Sequence, residues 1–381
     1  MDDKILQLKT KSGIEEIITE ESLKSLFQKV KNPNHYIGFE ISGKIHLGTG
    51  ISTMKVIKKL QEYGVNCQIL LADWHTWIND KLGGDRDFIH QVAVEYYQPM
   101  FEACADIVGA DKSKIKFVLG TDLYKESTQY WETAVNIAKK TTLARMQRSV
   151  TIMGRKEGEN LDFAKLLYPM MQVADIFALK AHIVHAGMDQ RKAHVIAIEC
   201  ADQITINPLL DDAGNVMKPT AINHHLSAGL ATPPVWPLTD EMKKDPAISE
   251  NLKMSKSKPG SAIFVSDDEE TIRACIKKAF CPPQEIEFNP VLEWVNSFVY
   301  DLLPDEVSWT IKRDEKWGGN VEYKSFSDLQ NDFAQDKVSG QDVKNNLADW
   351  LVELLKPTRE LAQQQNIQEI LTRIEEYQVK R

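Results

Sequence analysis

Short apolar runs and amphipathic helical stretches alternate along the first half of the chain. The apolar runs are typical of strands buried on both faces: HYIGFE (35–40), VNCQILLAD (65–73), IKFVLG (115–120) and AHIVHAG (181–187). Between the first two runs lies a helical stretch that ends at Gly64 and whose apolar residues share one face: Ile51, Met54, Ile57 and Leu60. A strand, a Gly-rich turn, a helix and a second strand within about 40 residues form a βαβ unit with parallel strands. The pattern predicts an α/β fold with a Rossmann-like, doubly wound parallel sheet.

Helical periodicity continues beyond this unit. The predicted helices run from an N-cap at Thr19 to about Val30, over 87–108 with an interruption or kink at Pro99, over most of 128–155, and over 168–179 and 189–201. After about residue 285 the strand patterns thin out, and two apolar helical stripes dominate: Val343, Leu347, Leu351 and Leu354, then Ile367, Ile370, Leu371 and Ile374. The C-terminal region is therefore expected to be mainly helical.

The length of 381 residues exceeds what one core usually organises. We predict an N-terminal helical segment over 1–32 and a Rossmann-like domain over 33–250, with an inserted helical connective region at about 120–165. A lysine-rich loop and linker follow over 251–285. A second, helical domain is expected over 286–381.

The composition is that of an ordinary globular protein, with 43% hydrophobic and 27% charged residues. No apolar run approaches the roughly 18 residues that a membrane span needs. The N-terminus, MDDKILQLKTKSG, lacks the apolar core of a signal peptide. Five scattered cysteines with no CxxC pair argue for reduced thiols and against a disulfide framework or a zinc site: Cys67, Cys104, Cys200, Cys275 and Cys281. We therefore expect a cytoplasmic protein.

The net charge of −9 opposes contact with nucleic acid over the surface as a whole. One stretch, 139–156, nevertheless contains six basic residues and no acid: Lys139, Lys140, Arg145, Arg148, Arg155 and Lys156. Such a stretch could follow a phosphate backbone. A solvated helix face or charge on a dimer surface explains it equally well.

The segment GKIHLGTG (43–50) follows the first predicted strand. In an open α/β sheet, ligands bind beyond the carboxyl ends of the strands, where a helix N-terminus offers free N–H groups. Its glycines would let a ligand approach the backbone, and His46 could direct a neutral donor at a phosphate. A tight turn with one polar histidine remains the alternative. The segment is neither a GxGxxG fingerprint nor a Walker A loop, which disfavours ordinary dinucleotide binding and P-loop chemistry.

The segment NLKMSKSKPGSAIFVSDD (251–268) places three lysines close together on an acidic protein. By composition alone it is a solvated loop. Four histidines also attract attention, in the pairs His182 with His185 and His224 with His225. No cysteine or acid cluster accompanies them at ligand spacing, so we interpret them as structural and predict no protein-bound metal.

Taken together, several motifs resemble a known family. A His-x-Gly-x motif after the first strand, a KMSKS loop about 200 residues later and a helical tail are similar to class I aminoacyl-tRNA synthetases. The match narrows to tyrosyl-tRNA synthetases of the archaeal and eukaryotic type. The resembling segments keep that family's order: YIGFEISGKIHLG (36–48), LLADWHTWIND (70–80), LLYPMMQVADI (166–176), AGMDQRKAH (186–194), KMSKS (253–257), KKAFCPP (277–283) and RDEKWGGN (313–320).

The resemblance implies that the protein activates L-tyrosine with ATP and then transfers the tyrosyl group to tRNA(Tyr). It implies that His46, Lys253 and Lys256 stabilise the ATP phosphates, with Mg²⁺ carried on the phosphates rather than held by the protein. It also implies ATP-binding positions at Gly38, Gly48, Thr49, Asp189, Met254, Ser255 and Ser257. Thr49 departs from the family, in which a second histidine usually occupies this position. Lys258 lies outside the motif and is expected to be an ordinary surface residue.

The resemblance also assigns a tyrosine pocket. Tyr36 and Asp175 correspond to the pair that hydrogen-bonds the phenol. Tyr168, Gln172 and Gln190 match the residues around the α-amine, and the positions of Tyr168, Gln172 and Asp175 put them on one helical face. Leu70 and Ala72 are expected to wall the ring, and His75 to brace the pocket. A site built for a hydroxyl refuses phenylalanine because its polar groups would be left unpaired.

On the tRNA side the resemblance implies contacts from the second domain, expected to bind the anticodon, and from the basic stretch. Trp317 and Asp342 match positions that stack on and hydrogen-bond an anticodon base. Ser339 stands where the family often has histidine. Arg145, Arg148 and Arg191 are the candidate arginines for tRNA, with Lys192 beside Arg191. The resemblance further implies a homodimer formed through the inserted region.

Three other functions are alternatives to that of a tyrosyl-tRNA synthetase. A tryptophanyl-tRNA synthetase shares the fold and the loop, but it has no use for Tyr36 and Asp175 aimed at a phenol. A tRNA-independent nucleotidyltransferase would not need the helical domain or the acid-free stretch. A non-catalytic RNA-binding relative would not need His46, Lys253 and Lys256.

Overall fold

A computed structural model describes residues 2–125, 127–155, 162–239, 252–254 and 260–379. Its strands are β1 Ile14–Ile18, β2 Asn34–Phe39, β3 Asn66–Leu71, β4 Ile115–Leu119, β5 Ile183–Gly187, β6 Thr220–His224, β7 Trp309–Ile311 and β8 Val321–Tyr323. The first six form one sheet in the order β1-β6-β5-β2-β3-β4, and β7 and β8 form a separate antiparallel hairpin. Strands β2 to β6 are mutually parallel, which confirms the predicted α/β class.

The helices of the first half are α1 Asp2–Lys9, α2 Glu20–Lys29, α3 Thr53–Glu62, α4 Asp73–Ile78, α5 Arg86–Val92, α6 Gln98–Val108, α7 Gly120–Tyr124, α8 Thr128–Ala138, α9 Leu143–Ser149, α10 Ala164–Ala178 and α11 Arg191–Cys200. Those of the second half are α12 Glu269–Lys278, α13 Pro290–Val295, α14 Phe326–Ala334, α15 Gly340–Leu354, α16 Lys356–Ala362 and α17 Gln365–Val379. Thr19 caps α2 as predicted, since its hydroxyl accepts from the backbone N–H of Ser22. A π-helical segment, Ala93–Tyr97, precedes Pro99 and interrupts the predicted long helix.

The N-terminal segment is not wholly helical, which corrects the prediction for residues 1–32. Residues Ile14–Ile18 form β1, which pairs antiparallel with β6 at the edge of the sheet. The sheet is therefore mixed at this edge. The sequence IEEII carries its acids on a short edge strand, where charged side chains reach water and discourage further pairing.

Residues of the central strands alternate between two buried clusters. Ile37 of β2 and Ile69 of β3 belong to one cluster, whereas Tyr36 and Leu70 belong to the other. Because successive side chains of a strand point to opposite faces, the two clusters lie on the two faces of the sheet. The first cluster continues without a break into the C-terminal helices, for example at Ile374 of α17. The predicted division into domains stays a prediction.

The strand order reverses between β2 and β5. From β2 the chain proceeds to β3 and β4 on one side, and from β5 it proceeds to β6 on the other. In open α/β sheets, a crevice forms beyond the carboxyl ends of the two strands at such a switch point. The fold thereby places a binding site at the ends of β2 and β5.

Candidate active site

A cleft of about 960 Å³ opens at this switch point. Its lining includes the residues that follow β2, the C-terminal residues of β5 and β6, and one face of α10. Fourteen residues that the resemblance assigned to the tyrosine or ATP site line it: Tyr36, Gly38, His46, Gly48, Thr49, Ala72, His75, Tyr168, Gln172, Asp175, Asp189, Gln190, Lys253 and Met254. Ser255, Lys256 and Ser257 lie outside the described residues.

One end of the cleft contains a fully buried carboxyl group, that of Asp175 on α10. Its Oδ1 accepts a hydrogen bond of 2.9 Å from the hydroxyl of Tyr130. Its Oδ2 lies 3.6 Å from Nε2 of His75. Neither of these last two atoms has a hydrogen-bond partner among the described residues, although both are buried. Such a pair is suited to a ligand hydroxyl, which can both donate and accept.

Burial sets the charge state of this polar pair. It raises the pKa of the Asp175 carboxyl to about 8 and lowers the pKa of the His75 imidazole to about 3. Burial also raises the pKa of the Tyr36 phenol, and the neighbouring Asp175 raises it further. Burial therefore disfavours charge at this end of the cleft, which is lined by aromatic rings.

The next section of the cleft is lined by amides. Nε2 of Gln172 donates to Oε1 of Gln190 at 3.3 Å, and Nε2 of Gln190 donates to the backbone oxygen of Ile152 at 2.9 Å. Oε1 of Gln172 is buried without a partner among the described residues. Tyr168 contacts His75 edge-on, with ring centroids 4.5 Å apart. The unpaired oxygen is an acceptor available to a ligand amine.

The His46 imidazole lies at the start of the π-helical segment Gly48–Ser52, which leads into α3. Its Nδ1 accepts from the backbone N–H of Thr49 at 3.2 Å, so the ring proton resides on Nε2. Nε2 lies 3.1 Å from Oγ1 of Thr49. The residue that departs from the family pattern thus orients the histidine. Residues 263–265 pair with this turn through Leu47 N–H to Ile263 O and Val265 N–H to Ile45 O.

Lys253 reaches the same cleft from the opposite wall. Its backbone forms a bridge with Ala228, and its Nζ donates to Oδ2 of Asp189 at 3.4 Å. Met254 is buried beside the turn, and its sulfur would lie 3.8 Å from a Cβ placed on Gly48. The predicted histidine motif and the first two residues of the lysine motif therefore face one space.

Comparison with known proteins establishes the family. The family model of class I tRNA synthetases (W and Y) matches residues 28–356. The chain belongs to this family.

Individual relatives agree with the assignment. The chain is similar to the tyrosine–tRNA ligase of Pyrococcus abyssi, with 49% identity over 93% of each chain, and to that of Thermococcus gammatolerans, with 49% identity over 94% of each. It superposes on the crystal structure of tyrosyl-tRNA synthetase complexed with L-tyrosine from Pyrococcus horikoshii with a TM-score of 0.91 and 45% identity, covering 98% of this chain and 99% of the other. The Aeropyrum pernix tyrosyl-tRNA synthetase gives 0.77 and 33%, with 98% and 99% covered. The resemblance read from the motifs is confirmed.

The sequence analysis missed several residues that line the cleft or hydrogen-bond to its lining. Tyr130, the partner of Asp175, lies on α8 and carries no motif of its own. Lys44 lines the cleft with its ammonium ion-paired to Glu375 of α17 and 5.9 Å from the Phe264 ring centroid. Lys44 belongs to a quoted motif, so its position was a usable signal. Glu375 lies 331 residues away along the chain, and nothing local indicates the contact.

The residues predicted to contact tRNA lie outside this cleft. Arg191 forms a bidentate ion pair with Glu16, and Arg145 pairs with Glu199 at 2.5 Å. Arg148 is exposed, as are Lys139 and Lys140. The stretch therefore has a basic face, but part of its charge is already neutralised inside the protein.

Two residues of the C-terminal region were also predicted to contact tRNA. The Trp317 side chain is 68% exposed, which excludes a place in the core. Asp342 has a structural contact, because its Oδ2 accepts from the hydroxyl of Ser339 at the N-terminus of α15. Neither observation tests the predicted contact with an anticodon base.

The histidines are hydrogen-bonded to one another or to other groups. His182 accepts from the backbone N–H of Asn34, and His225 lies between Glu15 and Glu293. His185 lies between His35 and His224. Within the described ranges, no group of three potential ligands is arranged to hold a metal ion.

The helices of those same ranges include none that is long and apolar enough to cross a membrane. Of the residues expected to wall or brace the pocket, Ala72 and His75 line the cleft, whereas Leu70 is not among the described residues that line it and lies in the buried cluster with Tyr36.

Proposed function

We propose that the protein is a tyrosine–tRNA ligase, which forms tyrosyl-adenylate from L-tyrosine and ATP and passes the tyrosyl group to tRNA(Tyr). The observation that carries the proposal is the unpaired polar pair of Asp175 and His75 at the buried end of the cleft. A phenol hydroxyl would donate to Oδ2 of Asp175. The relatives described above, all named for tyrosine, support the same substrate.

The pocket chemistry accounts for selection of tyrosine. Tyr36, Tyr130 and Tyr168 bury the site, so the polar pair has no access to bulk water once a side chain fills it. Phenylalanine would leave Asp175 unpaired there, at a discrimination of order 10⁴–10⁵. Tryptophan offers an indole N–H that can donate but cannot accept, and it is larger than the phenol. The geometry therefore favours tyrosine over the other substrate class of this family.

The amide section of the cleft would hold the α-amino group of the amino acid. An ammonium has three donors and no acceptor, and the buried Oε1 of Gln172 is an acceptor without a partner among the described residues. The hydrogen bond from Gln172 to Gln190 fixes its orientation, and Tyr168 lies on the same face of α10. The carboxylate would then point toward His46 and Lys253.

Adenylate formation is attack by the tyrosine carboxylate on the α-phosphate of ATP, with pyrophosphate leaving. Positioning and charge stabilisation dominate such a reaction. The hydrogen-bonded pair of His46 and Thr49 would face the phosphates, while Lys44 and Lys253 supply positive charge from opposite walls. Lys256, Ser255 and Ser257 are assigned to the same phosphates from the sequence motif, with Mg²⁺ carried on the ATP. Gly38, Gly48, Thr49, Met254 and Asp189 would line the rest of the nucleotide site.

The remaining assignments are proposals of the same kind. The protein would act in the cytoplasm as a homodimer. The tRNA would lie along the basic face around Arg148, with Arg145 and Arg191 available only if their ion pairs open. Trp317 and Asp342 would read the anticodon through the C-terminal helices.

Amino-acid-dependent exchange of labelled pyrophosphate into ATP tests the function. Each of the twenty amino acids is supplied in turn to the purified protein. We expect exchange with tyrosine and none above background with phenylalanine. Exchange with tryptophan alone, or with no amino acid, would overturn the proposal, and a charging assay with total tRNA and labelled tyrosine checks the second step.

A further inference from the structure

Three buried histidines form a hydrogen-bonded chain beneath the cleft. His35 on β2, His185 on β5 and His224 on β6 are adjacent across the parallel strands. Nε2 of His35 lies 3.1 Å from Nδ1 of His185, and Nε2 of His185 lies 2.8 Å from Nδ1 of His224. His35 and His185 are at most 1% exposed, and His224, which lines the cleft, is 8% exposed.

The number of protons on the three imidazoles limits the directions in which their hydrogen bonds can run. Burial lowers the pKa of His35 to about 3 and that of His224 to about 4, and it lowers the pKa of His185 as well. Each ring is therefore neutral and carries one N–H. Two of the three N–H groups are used within the chain. The third must reside at one of its ends, on Nδ1 of His35 or on Nε2 of His224.

The environment of the two ends decides between them. Nδ1 of His35 is buried and has no hydrogen-bond partner among the described residues. A buried N–H without an acceptor is rarer and more costly than a bare acceptor. The other end, Nε2 of His224, faces the cleft, where water or a ligand can accept from it. The chain is therefore polarised so that every imidazole donates toward the cleft.

The donor at the end of the histidine chain, Nε2 of His224, lies near Gly187 and Asp189. A Cβ placed on Gly187 would lie 2.6 Å from Cδ2 of Leu226, 2.8 Å from Oδ1 of Asp189 and 3.6 Å from Nε2 of His224. A carboxylate acceptor and an imidazole donor thus converge over a residue that has no side chain. The other oxygen of Asp189 accepts from Lys253. Both residues line the cleft, so a ligand group that carries a hydroxyl and an acceptor atom could hydrogen-bond to both.

We propose that His224 donates from Nε2 to an acceptor atom in the nucleoside part of ATP and is a specificity-determining residue of the nucleotide site. The inference rests on the proposed function, because it takes the ligand of this part of the cleft to be ATP. Asp189 accepts from a nucleoside hydroxyl beside it. His35 and His185 act as positioning residues that hold the tautomer of His224.

Equilibrium binding of ATP, measured by calorimetry without tyrosine, tests the proposal. We expect His224→Leu to weaken ATP binding about three- to tenfold, the value of one net hydrogen bond. His224→Gln places an amide N–H near the position of Nε2 and should bind ATP within about twofold of wild type. Tyrosine binding should be unchanged in both variants, as should ATP binding in His90→Leu, which changes an exposed histidine. Equal losses in the Leu and Gln variants, or no loss in either, would overturn the proposal.

Nucleotide analogues locate the acceptor. 2′-Deoxy-ATP and 3′-deoxy-ATP remove ribose oxygens, and 1-deaza-, 3-deaza- and 7-deaza-ATP remove ring nitrogens. Wild type and His224→Leu should bind equally the one analogue that lacks the partner of His224, and they should differ with the others. If they differ by the same factor with all of these analogues, the donor has no nucleoside partner.

The tautomer can be measured without a substitution. In ¹⁵N-histidine-labelled protein, two-bond ¹H–¹⁵N correlation spectra should show the proton of His224 on Nε2, with a shift when ATP is added. A proton on Nδ1 overturns the chain polarity and the proposal with it, even if the leucine variant fails to fold. Wild-type protein that binds ATP but shows no tyrosine-dependent pyrophosphate exchange would refute the proposed function. The ATP-binding and NMR measurements would then still test this inference independently. Wild-type protein that binds no ATP would refute both.

Discussion

The carboxyl group of Asp175 is placed where the folded protein disfavours its charge. Its pKa is raised to about 8 by burial, against about 3.9 in an unfolded chain. For an acid with a raised folded pKa, the unfolded state is relatively favoured as it ionises. The cost to stability therefore grows as pH rises from about 4 to 8 and is constant above that. A binding site that needs this acid retains it at the expense of stability.

Replacing Asp175 with asparagine should separate function from stability. We expect Asp175→Asn to raise the free energy of unfolding by on the order of 2 kcal/mol at pH 8 and by much less at pH 5, because asparagine does not ionise. Its oxygen can still accept from Tyr130. Tyrosine-dependent pyrophosphate exchange should fall to background. Urea unfolding at the two pH values measures the first effect, and a variant no more stable than wild type at pH 8 would contradict it.

Lys253 should act on the transition state more than on binding. Charge develops on the leaving pyrophosphate, so Lys253→Ala should lower kcat for exchange about 100-fold while the Kd for tyrosine changes less than about twofold. Lys258→Ala, which changes a lysine outside the motif, is the matched control and should keep kcat within about twofold. A Lys253→Ala variant whose defect is confined to tyrosine affinity would place this lysine outside the phosphate site.

At the scale of single residues, the sequence predicted those parts of the site that lie in local motifs. His46, Asp175, Asp189 and Lys253 all line the cleft. Tyr130, Glu375 and the order of the histidine chain could not be predicted, because each depends on which elements the fold brings side by side. The sequence analysis interpreted His185 and His224 as structural. The hydrogen bonds among the three histidines agree with that interpretation. They do not explain the role of Nε2 of His224, which faces the cleft.

At the scale of elements, α17 connects the C-terminal region to the cleft. Its Arg373 pairs with Asp85 and lies 3.9 Å from the ring centroid of Phe88, and its Tyr377 stacks on Phe88. Its Glu375 pairs with Lys44 in the cleft. Three residues of the apolar stripe predicted for this helix, Ile367, Ile370 and Ile374, are buried, and Leu371 is partly buried against them. The final helix therefore packs as part of the protein core.

Shortening one side chain of this helix should destabilise the whole chain. We expect Ile374→Ala to lower the free energy of unfolding by about 2–5 kcal/mol, because it removes buried methyl and methylene groups and leaves a cavity. Glu376→Ala, on the exposed face of the same helix, should change it by less than about 0.5 kcal/mol. Chemical denaturation monitored by tryptophan fluorescence gives both values. Equal effects of the two substitutions would mean that α17 does not dock through this stripe.

The sequence analysis missed two strands of the large sheet, β1 and β6. Strand β6, with the sequence TAINH, is fully buried but contains Thr220, Asn223 and His224, each of which forms a side-chain hydrogen bond with a neighbouring element. Strand β1 has its acids on a sheet edge. Neither has the continuous apolar run by which the central strands β2 to β5 were predicted. A hydrophobic pattern identifies strands whose buried side chains are apolar. It overlooks strands such as β6, whose buried side chains include hydrogen-bonded polar groups, and edge strands such as β1 that carry acids.

At the scale of the whole molecule, His225 ties together segments that are far apart in the sequence. Its Nδ1 lies 3.1 Å from Glu15 on β1, and its Nε2 lies 3.2 Å from Glu293 on α13. Glu293 also accepts from the backbone N–H of Ala228, which bridges to Lys253. Strand β1, the bridge between Ala228 and Lys253, and helix α13 therefore meet at the His225 imidazole. Hydrogen bonds to the two glutamates raise its pKa to about 10.

This arrangement predicts a specific pH dependence of stability. Because the folded pKa of His225 is raised above its unfolded value of about 6.5, the stabilisation is complete below pH 6.5 while the glutamates are ionised. It declines as pH rises toward 10. His225→Gln should therefore be less stable than wild type at pH 7, by on the order of 1 kcal/mol, since the side chain is half-exposed and solvent screens the pairs.

Unfolding free energies of wild type and His225→Gln, measured between pH 6 and pH 10, test this dependence. The two curves should converge near pH 10, because deprotonated His225 no longer attracts Glu15 and Glu293. Other groups that titrate in this range are common to both proteins and cancel in the difference. The exposed substitution His90→Gln controls for loss of an imidazole elsewhere and should give a curve parallel to wild type. A constant gap between wild type and His225→Gln across the range would mean that packing, rather than charge, holds the three segments together.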